Sequence, residues 1–166
     1  MKSQMEMLIA TSLLFCAAGC GKSVDMGGLV TQAQETAAFA NIAQVSSAQA
    51  IHRMEHEGVF ANSIEELREL KPEIAAATNP GKAYQGYYFV VLPSTEREQF
   101  YAVAIPSQYG VSGKRTFLAT ADGCIYAKDV GAQAISAAPA NPEGAGWNRV
   151  RGKARSIGPE DEKPPG

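Results

Sequence analysis

The sequence predicts an α+β domain in which one long N-terminal helix packs on an antiparallel sheet of three or four strands. Three observations predict it. Residues 29–57 run without Gly or Pro and are rich in Ala, Gln and Glu. From residue 86 the chain changes to short aromatic and β-branched runs separated by turn residues. The helix carries apolar stripes and the sheet has a face to bury, so each supplies the other's cover. At 166 residues the chain holds one such domain.

The first segment, residues 1–19, reads as a signal peptide. Lys2 and the amino terminus supply positive charge, and Met7 to Ala18 is a weakly polar to apolar run. As a helix that run is too short to cross a bilayer, and a short apolar run ending in small residues is an export signal. Ala17-Ala18-Gly19-Cys20 resembles the lipobox of bacterial lipoproteins, in which the cysteine sulfur is diacylated and begins the mature chain. The resemblance makes Cys20 the lipidation site and residues 20–28 a tether. The same stretch ends in Gly21-Lys22-Ser23, the tail of a phosphate-binding loop. Position 16, where that loop needs glycine for its sharp turn, is Cys16, and no later strand ends in a magnesium-binding acid. No nucleotide site is expected.

The predicted domain occupies residues 29–130. Its helix, 29–57, is roughly 40 Å long and stops at Gly58. One apolar stripe joins Ala38, Ile42, Val45, Gln49 and His52; another joins Phe39, Ala43, Ala50 and Met54. In NSIEELREL, Ser63 caps a short second helix while Glu66 reaches back to the cap amide. Pro72 disfavours helix at Lys71, and residues 73–84 read as loop. The runs GYYFVVLPS, QFYAVAIPS, RTFLATADG and CIYAKDVG are the strands, with Asp122-Gly123 as a two-residue hairpin turn. Residues 131–166, rich in Ala, Pro and Gly, read as a disordered tail carrying a solvated basic run from Arg149 to Arg155.

Residues 38–126 resemble the globular domain of type IV pilin-like proteins, including the major pseudopilins of type II secretion. The resemblance rests on ANIAQVSSAQAIHRMEHEGVFANSIEEL, with Ile42, Val45, Ala48-Gln49, His52, Gly58, Phe60 and Leu67 at the patterned places, and on GYYFVV, YAVAIPSQYGVSGKRTF and DGCIY. It implies a pilin-like fold, a life in the cell envelope, a link to a secretion or pilus-like system, and work through protein contacts rather than catalysis. It also implies that Ile42, Val45, Gln49 and His52 face the sheet opposite Val103 and Ile105. Phe39, Ala43, Ala50 and Met54 would then form a partner-binding flank for another envelope protein or a second copy. A prepilin-peptidase site and the long apolar helix of pilins are missing here, so filament assembly does not carry over. The pseudopilin calcium site has no counterpart between Asp122 and Gly131.

Chemistry-bearing candidates are few. HRMEH, residues 52–56, matches the H-x-x-E-H signature of inverted zinc proteases, with His52 and His56 one helical turn apart. A third, acidic ligand on a distant helix is missing. The reading is therefore no catalytic residue, no metal and no cofactor. The alternatives are a metal-binding protein or metal-dependent hydrolase built on His52 and His56, or a structural envelope lipoprotein without a specific client. A net charge of −2 argues against nucleic acid. With Cys16 removed and Cys20 acylated, Cys124 is left without an intramolecular disulfide partner and reads as a buried hydrophobe. The expected partners are a membrane, through Cys20, and an envelope protein or a second copy.

Overall fold

The structure, a computed structural model, describes residues 26–92, 94 and 98–152. Cys20, the signal segment and residues 153–166 lie outside the described residues. Helix α1 spans Met26–Glu55, beginning inside the expected tether. Gly27 and Gly28 are helical despite their poor propensity. The Thr31 hydroxyl donates to the Val111 carbonyl at 2.9 Å and fastens the first turns to a loop of the sheet.

The stripe Ala38, Ile42, Val45, Gln49 and His52 is buried, together with Glu35, Asn41 and Ala48. Gln49 stays inside because it is paired twice with one residue. It donates to the Ala61 carbonyl at 3.0 Å and accepts the Ala61 amide at 2.8 Å. The helix ends at Glu55, two residues before the predicted end and three before Gly58. Glu57 takes the left-handed position at φ 52°, and the Gly58 amide reaches back to the Arg53 carbonyl at 2.9 Å.

Ser63 and Glu66 do form reciprocal caps, though the Glu66 carboxylate accepts the Asn62 amide instead of that of Ser63. What they start is only a 3-10 turn, Glu65–Leu67. A five-residue helix α2, Pro72–Ala76, follows where loop was expected. Pro72 occupies its first turn, where a missing N–H costs nothing. Leu67 and Ile74 from this segment join Ile42, Val45 and Ala48 in one core cluster.

The sheet has five strands, not three or four. They are β1 Tyr87–Leu92, β2 Tyr101–Pro106, β3 Arg115–Thr120, β4 Ile125–Asp129 and β5 Asn148–Arg151, antiparallel and adjacent in chain order. The extra strand comes from the segment expected to be a disordered tail. Residues 131–152 return across the sheet and bury Trp147 against Val103, Leu118 and Tyr126. One large aromatic side chain offsets the ordering of a segment whose Ala, Pro and Gly content read as unstructured.

This second cover also corrects the assignment of faces. Ala102 and Ala104 of β2 belong to the helix-side cluster, whereas Val103 and Ile105 face the C-terminal segment. YAVAIP is apolar at nearly every position, so its sequence carries no alternation from which a face can be read. The small residues lie under α1, and the large ones fill the space beneath Trp147. The β3–β4 connection has three loop residues, Ala121-Asp122-Gly123, with Gly123 at φ 77° and Thr120 paired with Cys124. The Asp122 carboxylate caps this turn by accepting the Cys124 amide at 3.1 Å.

Candidate functional site

The C-terminal end of α1 brings His52 and His56 together over an open depression of about 590 Å³. The depression is also lined by Glu55, Glu57 and Glu66. The two imidazoles stack, with centroids 3.8 Å apart and planes 4° from parallel. His52 Nδ1 contacts the Val59 carbonyl at 3.2 Å, and His56 Nδ1 contacts the His52 carbonyl at 2.9 Å. A carbonyl can only accept, so each Nδ1 carries a proton and each Nε2 remains as the ligating position.

Tautomer and spacing thus suit a metal, but orientation does not. An imidazole donates its lone pair in its own ring plane, so two rings sharing an ion need planes that meet at it. These planes are parallel. The nearest carboxylate oxygen, on Glu66, is 4.0 Å from His52 Nε2 and is engaged by the Asn62 amide. Among the described residues no group of three His, Cys, Asp or Glu side chains converges on a metal position. The stack does hold α1 to the chain that leaves it, since His52 is buried and bonded to residue 59.

The other sheet face carries a second depression, about 430 Å³, where residues 140–143 pass the ends of β2, β3 and β4. Arg149 lines it, ion-paired to Glu143 at 2.6 Å and lying over the Tyr126 ring. The basic run expected to be a solvated linker therefore begins in strand β5. Cys124 is buried nearby. Burial and the hydrogen bond with Asp122 push its thiol above the ordinary value, which is the condition of an inert cysteine.

The predicted partner flank divides. Phe39 and Ala43 are half-buried and pack on the core, with the Phe39 ring 6.2 Å from that of Phe117. Ala50 and Met54 are exposed. The face of α1 turned away from the sheet is instead centred on Ala33, Ala40 and Ser47. From Met26 to Ile51 its exposed and half-buried residues include no charged side chain, because the one charge in that stretch, Glu35, is turned inward. A solvated helix face ordinarily carries charge. Sequence reading missed this surface because Ala, Gln and Ser at its centre make a weak apolar signal. Among the described residues no helix is long and apolar enough to cross a membrane.

Comparison with known proteins gives one match. Residues 30–150 match a family described as "Protein of unknown function (DUF2950)". No curated protein and no solved structure matches the chain. The matched span runs from the second turn of α1 into β5, so it includes the C-terminal cover as well as most of the helix and the four preceding strands. With most of its length inside that match, the chain belongs to the DUF2950 family.

Proposed function

We propose that this protein is a lipid-anchored module of the bacterial cell envelope that works by holding another helix against the outer face of α1. The observation that carries the reading is that face, about 40 Å of helix surface with no charged residue of its own, reached by the Lys71 ammonium where it donates to Gln44 Oε1 at 2.9 Å, on an otherwise mixed-charge domain. The lipobox-like Ala17-Ala18-Gly19-Cys20 stands six residues before Met26 and supports a position close to a membrane. The resemblance of residues 38–126 to pilin-like proteins supports work through contacts in a secretion or pilus-like setting. No residue cluster described above supports a reaction.

Processing of the full chain in a bacterial host tests the anchor. Cys20→Ser should leave the precursor uncleaved and move the protein out of the detergent phase. If the Ser variant is cleaved after Gly19 and released at the wild-type rate, the lipoprotein reading fails.

A further inference from the structure

We propose that the helix held against α1 is α1 of a second copy of this chain, antiparallel to it about a two-fold axis at Ala40. The proposal rests on the outer face of α1 being a contact surface, and it names the occupant.

The outer face has a register. Met26 and Val30 open it, Ile51 and Met54 close it, and Ala33, Ala37, Ala40, Gln44 and Ser47 stand between them. The steps along this series alternate four and three without a break, which is the spacing of a two-helix seam. All are exposed except half-buried Ala37. The four end residues are among the most exposed large hydrophobics described, at 66% for Met26, 52% for Val30, 43% for Ile51 and 85% for Met54.

Except at Ala37 and Gln44, the order of sizes reads the same from either end. Turned over about Ala40, Met26 meets the copy's Met54 and Val30 meets its Ile51. Ala33 then meets Ser47, Ala37 meets Gln44, and Ala40 meets itself. Large residues close the two ends; between them lie alanines and Ser47, with Gln44 turned to accept from Lys71 Nζ at 2.9 Å, which lets the axes approach to about 8–10 Å in the middle. A parallel pair would align like with like whatever the sequence, so it has no use for this symmetry. An antiparallel pair requires it, because a two-fold contact must complement itself.

Charge points the same way. The first turn of α1 contains no acidic residue, and Asp25 immediately precedes it. In the antiparallel pair the two helix dipoles oppose each other, and the copy's Arg53 and Glu55 bring one charge of each sign to that end. A parallel pair would instead align the dipoles and superpose Arg53 on Arg53. The strip from Met26 to Met54 is about 42 Å long and about 10 Å wide, about 420 Å² per partner before side-chain relief, which is the size of a weak interface and about half the roughly 800 Å² of an ordinary specific one. A two-fold axis perpendicular to the helix pair also puts both amino ends at one height, so two Cys20 anchors would reach the same bilayer.

Thiol cross-linking of the full chain with a short bis-maleimide tests the pairing, with the unsubstituted chain as background. Ala40→Cys should give a band at twice the chain mass. Met26→Cys and Met54→Cys should each remain single, since like positions lie at opposite ends, and should link when the two are mixed. Ala40→Glu should lose the dimer by light scattering while its far-UV circular dichroism is unchanged. Self-linking of Met26→Cys as strong as that of Ala40→Cys would overturn the antiparallel arrangement. A link in cell membranes between Ala40→Cys and a protein of different mass, without the doubled band, would keep the contact surface and overturn self-pairing. If Ala40→Cys links to nothing yet reacts freely with a small maleimide, the dimer and the contact surface both fall.

Discussion

Glu35 sets a carboxylate, its side chain 11% exposed, where three donors converge. The Lys114 amide lies at 2.8 Å, the Arg115 amide at 3.2 Å and Arg115 Nε at 2.7 Å. Burial acts to raise the pKa of this carboxyl, but the donors outweigh it and hold the group below its ordinary 4.5. A folded-state value below the unfolded one means that the contribution to stability is present at neutral pH. It is lost as pH falls below about 4.5 and through the folded value. Glu35→Gln keeps an acceptor and loses the charge, so at pH 7 it should cost about 1–3 kcal/mol. Its urea midpoint should also fall less steeply with acid than that of the natural chain. Equal acid slopes in the two chains would remove Glu35 as the cause. Nothing in the sequence announces this residue. It stands one turn before the buried stripe, and its partners are some 80 positions away.

At the scale of elements, the long helix was legible because an unbroken run of helix formers with a stripe at 3.6-residue spacing has few alternatives. The pattern offered two stripes and did not choose between them; the resemblance to pilin-like proteins put Ile42, Val45, Gln49 and His52 toward the sheet, and these are buried together with Ala38 of the same stripe. Four strands were legible from composition and turns, but their faces were not. A strand apolar on both sides reports two covers, and the second cover lay in a segment whose composition suggested none. The histidine pair was legible as a spacing, whereas the parallel set of its rings depends on carbonyls that only the folded turn supplies. Strand β5 therefore needs its own check. Trp147→Ala should destabilise the domain by about 3–5 kcal/mol, the usual cost of removing a large buried aromatic. A change below 1 kcal/mol in a urea titration would return residues 131–152 to the status of a loose tail.

Across the whole molecule the sheet is a shared wall. The helix-side cluster contains Phe89, Ala104, Phe117 and Ala127, and the cluster under Trp147 contains Val103, Leu118 and Tyr126 from the same strands. Neither cover can leave without exposing strands that the other still needs. Unfolding should therefore be one event. Fluorescence of Trp147, the single tryptophan, reports the C-terminal side, and ellipticity near 222 nm reports α1. The two signals should share one urea midpoint. Separated midpoints would mean that the C-terminal cover is an independent layer.

The margins of the sheet have a consequence for how copies of this chain can join. On the β1 side, the Phe89 amide is already taken by the Ala77 carbonyl at 2.7 Å. On the β5 side the last strand is four residues long, carries Arg149 and Arg151, and has an irregular register against β4. Short, charged, irregular margins are poor templates for another strand. In the proposed membrane-anchored state copies would meet at high local density, where strand-by-strand growth into fibrils is the hazard. Closed margins let such crowding promote contact between helices while the sheets stay separate.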